Sequence, residues 1–443
     1  MFVCNKLILT GGIYSMKKWS FMVFIGILFL LVSACASEGS DQSGSQKPVN
    51  KEGKTIVTLS VQQASSFYET AEKKFEEKYP DIDLQIQVIE DYEQYQTTTN
   101  TAILSGKGPD IFEVSGLPTK DYVNKDLLLD MEELMKQDDT LNHGDLQINI
   151  LDAIKSNDGL YAMPFGFSLR AFVGDGDLLG NTSIDDQNWT WKEFEDIAKT
   201  LGESGAERRY AMAGETPDFR MQEMVVDRYS EFVDTAAKKA LFDSPSFVEA
   251  MQQIKDMYDN QVMTSEPADI GKQMFYSTVL RSPADFINDL HFYFSNPKLL
   301  QKPEQKGGTR IVLASQFAIQ AQSAVKEEAW KFIAFMLSEE GQSLQERQGF
   351  SLLKSVNEKQ LNEMQEQVEN GTYKTPDGKA PKVTNDEFAK FKKFIHTANN
   401  HSAADGKVIS IVGEESMAFF SEQKTAEEVA ELIQNRVTTY LNE

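Results

Sequence analysis

The chain has 443 residues, long enough for two domains with substantial cores. Its 44 Lys and Arg face 68 Asp and Glu, a net charge of −24. Such a surface repels phosphate backbones and anionic lipid headgroups, so no nucleic acid is expected as a partner and membrane attachment needs another cause. Both cysteines, Cys4 and Cys35, precede the body, which therefore has no disulfide, and the four histidines, His143, His291, His396 and His401, lack a ligand-like spacing. No metal and no cofactor is expected.

Lys17 and Lys18 lead an apolar run from Trp19 to Val32, relieved only by Ser20 and Gly26, that closes as Val32-Ser33-Ala34-Cys35. A positive start, an apolar middle and small residues before a cut site make a secretory signal, and the run is shorter than the roughly 20 residues that span a bilayer. Val-Ser-Ala-Cys resembles the bacterial lipobox, which implies that Cys35 becomes the acylated first residue of the mature chain. Ala34-Cys35-Ala36 also fits an ordinary cleavage site that would release a soluble protein, and an uncleaved membrane helix is disfavoured by its length. Residues 1–34 are thus read as signal, with Met16 as the start because 1–15 add nothing a signal needs. Residues 35–53 follow as the lipidated cysteine and a flexible tether, since their Ser, Gly, Gln, Asp and Lys cannot bury enough surface to offset ordering.

Thr55 to Val61 then reads as a strand. A helix follows over 65–79, with Tyr68, Ala71, Phe75 and Tyr79 on one face, and Pro80-Asp81 stops it. Leu84, Ile86 and Val88 alternate with polar residues as a second strand, and a helix over 92–104 ends at Ser105-Gly106, where glycine can supply a left-handed cap. Ile111 to Val114 is a third strand. Repeated strand-helix units argue for an open α/β sheet.

The passage 160–173, apolar but broken by Pro164 and Gly166, is a natural place for the chain to cross between lobes. Thr190 and Glu193 form a capping box, with Trp189 placed to staple onto Phe194. Helical periodicity runs from Phe247 to Tyr258, aromatic clusters stand at 274–276 and 292–294, and 302–308 is polar and turn-rich. Arg310 to Leu313 and 317–319 read as short strands, and 327–337 as a helix with Trp330, Ile333 and Leu337 on one face. A second capping box, Thr425 with Glu428, leads a final helix that buries Val429, Leu432, Ile433, Val437 and Tyr440.

Several of these pieces occur in one order. Phe75-Glu76-Glu77-Lys78-Tyr79-Pro80-Asp81-Ile82, Ser105-Gly106-Lys107-Gly108-Pro109-Asp110-Ile111, Tyr161-Ala162-Met163-Pro164, Trp189-Thr190-Trp191-Lys192-Glu193-Phe194 and Glu328-Ala329-Trp330-Lys331-Phe332 resemble motifs of the bacterial extracellular solute-binding proteins of sugar-type ABC importers, the maltose-binding-like family 1. The resemblance implies an α/β, two-lobed periplasmic-binding-protein fold of type II, with open sheets flanked by helices and the ligand between the lobes. Lobe one is expected over 54–165 and 310–348, and lobe two over 166–309 and 349–443. Three positions depart from the family pattern: Val173-Gly174-Asp175 replaces a Tyr-Asn-Lys-like stretch, Gly271 to Tyr276 lacks the usual tryptophan, and Gly349 to Leu353 lacks the usual proline.

The implied function is capture of a carbohydrate, in the form of an oligosaccharide, by a monomer lipid-anchored to the outer face of the cytoplasmic membrane. It would deliver the solute to an ABC permease, without enzymatic activity. Hydroxyls and flat C–H faces of a sugar call for carboxylates, amides, arginine and aromatic planes. Candidates at strand ends are Gln62, Gln63, Ser65 and Ser115; Phe165, Phe167 and Arg170 flank the crossing; Phe275 and Tyr276 lie in lobe two. For the phenylalanines hinge or core packing is the competing role, for Arg170 a structural ion pair, and Asp110 is read as completing a turn. Asp175-Gly176-Asp177 opens like a calcium loop, but Leu179 and Asp186 occupy its fifth and twelfth positions. No nucleophile elbow, phosphate loop or His-Glu-x-x-His occurs, and no acid pair is singled out. Another solute on the same fold, a secreted carbohydrate-processing enzyme and a structural lipoprotein are the alternatives.

Overall fold

Alternating Val57, Leu59 and Val61 are fully buried and make Thr55–Val61 the first strand, β1, of a sheet. In the computed structural model, residues 47–443 are described apart from 181, 203–207, 306–307, 314, 403 and 443, so the signal and Cys35 lie outside the described residues. β2 (Ile82–Val88) and β3 (Ile111–Glu113) run parallel to β1 on either side, and β4 (Met163–Pro164) completes the outward path. The connecting helices are those expected: Ser66–Lys78 buries Phe67, Tyr68, Ala71 and Phe75, and Tyr92–Leu104 ends before Gly106, whose φ is +70°.

The chain then crosses at 165–167 into β5 (Ser168–Asp175). β6 (Met212–Ala213) pairs with β9 (Met263–Thr264), and β7 (Val233–Asp234) and β8 (Lys239–Ala240) form a small hairpin between them in sequence. β10 (Phe275–Leu280), β11 (Pro297–Leu300) and β12 (Thr309–Val312) all lie antiparallel to β5. The chain next returns to the first sheet as β13 (Gln316–Ile319), between β3 and β4, and β14 (Ala398–His401) finally joins β12 in parallel. The two large sheets have the orders β2-β1-β3-β13-β4 and β10-β5-β12-β14. These are the two open α/β sheets of a two-lobed fold. Thr309–Val312 belongs to the second sheet, so the return to the first falls at 313–315 and not at 310, because Arg310 and Ile311 find ladder partners on both β5 and β14.

A third crossing lies beside the first. Phe167 and Phe350 exchange both backbone hydrogen bonds, at 3.1 and 2.6 Å. Gly349 makes this approach possible: its φ is +85°, and a Cβ there would stand 2.6 Å from the Phe167 carbonyl oxygen. Leu169, Ala171 and Val173 on one face of β5 extend the first lobe's core past the crossings to helices Pro283–Tyr293, Lys354–Glu369 and Asn385–His396. Phe172, on the opposite face, enters a separate core with helices Trp191–Gly202, Pro217–Asp227, Pro245–Asp259, Gly406–Phe420 and Ala426–Asn442.

Both capping boxes form, Thr190 with Glu193 and Thr425 with Glu428, and Trp189 packs on Phe194 with ring centroids 5.9 Å apart. Leu432 and Tyr440 on the last helix are half-buried where full burial is expected. The tether expected to reach Gly53 is already folded from Lys47. Asn50 accepts the amides of Glu52 and Lys54, Pro48 accepts that of Ile56, and Lys47 reaches Glu328 at 2.8 Å. Polar composition did not prevent order there because Asn50 ties the turn and Lys47 reaches an acid of the lobe. Gly349→Ala should cost at least about 1–2 kcal/mol from the left-handed backbone alone, read as a lower urea midpoint with unchanged slope; an unaltered midpoint would show that this crossing is not tight.

Candidate ligand cleft

A carboxylate organises the carboxyl ends of β1 and β3. Glu113, the last residue of β3, is 6% exposed. Its Oε2 accepts the Gln62 backbone N–H at 3.1 Å, and its Oε1 accepts the hydroxyls of Ser115 at 3.1 Å and of Ser315 at 3.0 Å. The end of β1, the loop after β3 and the second crossing are thus tied to one side chain. Tyr68 lies beside it, and burial together with the Glu113 charge raises its phenol well above the ordinary range. Asp110 has the structural part expected of it: it accepts the amide and hydroxyl of Thr58 and the hydroxyl of Ser323.

The second lobe offers a wall of opposite character. Glu223 and Asp227, one turn apart on helix Pro217–Asp227, point at the sheet face where Arg170 of β5 and Arg310 of β12 stand directly opposite each other. Glu223 Oε2 receives Arg170 Nη2 at 2.9 Å, Arg310 Nη1 at 3.1 Å and Lys302 Nζ at 3.3 Å. Asp227 takes Arg310 at 3.1 Å and pairs with Lys302 as well. Two arginines that would repel across a ladder are held by the carboxylates between them. Burial raises the Glu223 carboxyl, but Lys302, Arg170 and Arg310 outweigh it and hold it down at about 2. Lys302, with no exposed side-chain surface, is pushed below the ordinary lysine value by burial, against the pull of Asp227 and Glu223. His401 ends β14 nearby, lowered by burial and then by the Arg310 charge.

Side-chain exposure is graded through this cluster, from none at Lys302 and 4% at Asp227 to 12% at Glu223, 13% at Arg310 and 19% at Arg170. Arg170 follows the first crossing by three residues and Arg310 precedes the second by as many. Elsewhere between the lobes, Lys120 on helix Thr119–Asn124 donates to Thr235 in the β7–β8 turn.

Of the residues expected from sequence, Gln62 and Ser115 meet on Glu113, and Arg170 joins the charged wall. Ser65 caps helix Ser66–Lys78 by accepting the Phe67 amide, and Gln63 is exposed. The aromatic candidates are taken up elsewhere. Phe165 stacks on Phe317 at 4.5 Å and 11°, and Phe167 packs on Phe350, both in the hinge-side core. Phe275 is fully buried against Trp189 and Phe194. Tyr276 stacks on Tyr293 at 4.0 Å. Because β10 is antiparallel to β5, with Phe275 opposite Gly174 and Leu280 opposite Leu169, both aromatics lie at the end of the strand remote from the crossings. No spacing or motif in the sequence singles out Glu113, Ser315, Glu223, Asp227, Lys302 or Arg310.

Two lobes joined by three crossing segments, with polar walls at the strand ends between them, define a type II periplasmic-binding-protein fold. The family model described as bacterial extracellular solute-binding protein matches residues 60–343. The chain belongs to that family. Similar solved structures include a family 1 extracellular solute-binding protein from Alicyclobacillus acidocaldarius, with TM-score 0.61, 16% identity, and 89% of this chain and 100% of that one covered. A periplasmic oligogalacturonide-binding protein from Yersinia enterocolitica gives 0.61 at 17% identity, covering 88% and 99%. The sugar-binding protein MalE from Xanthomonas citri gives 0.59 at 15%, covering 88% and 98%.

Glu223→Gln would leave three cations around a neutral amide, and removing one partner of a buried ion pair typically costs about 3–5 kcal/mol. The sign with pH follows from the lowered carboxyl. Its contribution is complete above the unfolded value of about 4.3 and is lost as pH falls toward about 2. Acid titration of wild type should therefore show a stability loss across that window that E223Q lacks; parallel curves for the two proteins would remove Glu223 from this role.

Proposed function

We propose that this protein is the lipid-anchored receptor of an ABC importer, capturing a carbohydrate between its lobes and delivering it to the permease without chemical turnover. The family is one of extracytoplasmic solute binders, and structural neighbours include binders of oligogalacturonide and of sugar. The observation that carries the reading is the fixed Glu113 carboxylate at the strand ends of lobe one. Two donors occupy its Oε1 and one its Oε2, so it is pre-oriented and keeps acceptor capacity for ligand hydroxyls. A solute that touches both walls binds the closed arrangement better than the open one, and that difference shifts the population. The candidates that fit are Gln62, Ser115, Glu113 and Arg170, while the phenylalanines serve the hinge and core.

Thermal melts across sugars, peptides and polyamines test the substrate class. A cognate sugar at 100 times its dissociation constant should add about 2.7 kcal/mol; stabilisation by a non-sugar alone would replace the carbohydrate assignment, and cleavage of an oligosaccharide by the purified protein would replace the receptor with an enzyme. The anchor is tested separately. In the native host, Cys35→Ser should abolish incorporation of labelled palmitate with ligand affinity unchanged, and undiminished labelling would refute acylation at this position.

A further inference from the structure

We propose that the solute is an acidic sugar, whose carboxylate is received by Arg170 and Arg310 while its hydroxyls meet Glu113 on the opposite wall; this deepens the carbohydrate reading and rests on it. Three cations converge on one oxygen of Glu223, and Asp227 is the second acid among them. The cluster therefore holds three cations and two carboxylates. His401, facing Arg310, is kept toward its neutral form, and Arg220 on the same helix has its own acid, Glu215. Glu304 lies on the Asp227 side, and burial raises its carboxyl toward the neutral acid.

Arg170, the most exposed cation of the cluster, is also the least engaged. Arg170 makes one contact with Glu223 through Nη2, and its buried Nε has no partner. A guanidinium presents donors in pairs that match a carboxylate, so a fork engaged through one nitrogen suits a second anion. Lys302, the most buried cation, is saturated by two carboxylates and serves to hold the wall in place. Arg170 and Arg310 are the two cations of the cluster with side-chain exposure above a tenth, 19% and 13%, and both sit within three residues of a crossing. In a chain of net charge −24, an anionic solute would be repelled by most of the surface, and a recessed basic wall supplies the local field that reverses this.

The test measures binding to the full-length protein by calorimetry, with glucuronate, galacturonate and digalacturonate set against glucose, galactose and maltose, at low and high salt. The acidic series should bind about tenfold or more tighter than the neutral one, and its affinity should fall as salt rises. Arg170→Gln, checked for folding by circular dichroism, should bring the acidic sugars down to the neutral level; the wild-type salt series decides the matter should that variant not fold. Neutral sugars binding as well as or better than acidic ones, or salt-independent binding of the acids, would overturn the proposal and leave the carbohydrate receptor standing. Absence of binding by either series would overturn both.

Discussion

Everything in this molecule hangs on the antiparallel contact between residues 165–167 and 349–351. It brings two segments nearly two hundred positions apart within hydrogen-bonding distance, Phe167 to Phe350, and it tolerates no side chain at Gly349. β4 ends at one side of this contact and β5 begins at the other, so the position of each sheet relative to the other is set there. The second crossing runs from β12 into β13 and carries Ser315, which reaches Glu113. The backbone that joins the lobes also helps to fix the floor between them.

Hydrophobic packing has a corresponding asymmetry. One core runs from β1 through the crossings into the second sheet's Leu169, Ala171 and Val173, whereas the core around Phe172, Trp191 and Phe247 belongs to the second lobe by itself. A shared core near the hinge resists separation of the lobes, because opening would expose apolar surface at roughly 25 cal/mol per Å². Away from the hinge the second lobe packs around its own core. There the contact between the lobes is polar, Lys120 donating to Thr235.

Much of the architecture was legible because its signals are local. Thr190 with Glu193 and Thr425 with Glu428 announce helix starts within four residues, and period-two alternation marks β1 and β2 without knowledge of their partners. The cleft was far less legible. Glu113 reads as a polar interruption in an apolar strand, and its importance comes from Gln62, Ser115 and Ser315, which no spacing connects. Residues 302–308 read as polar and turn-rich, which gives no hint that Lys302 and Gln305 are buried, at 1% and 4% exposure, because acids on helix Pro217–Asp227 and Asn400 of β14 reach them. Phe275 erred in the opposite direction: aromatic character suggested a ligand face, but the register of β10 turns it into the core.

The ordered start at Lys47 has a mechanical corollary. Lys47 lies 2.8 Å from Glu328 and 3.7 Å from Glu327, and Pro48 and Val49 pair with residues at the start of β1, all within lobe one. Any force arriving through the preceding chain is therefore delivered to lobe one and stops there. None of these attachments involves lobe two.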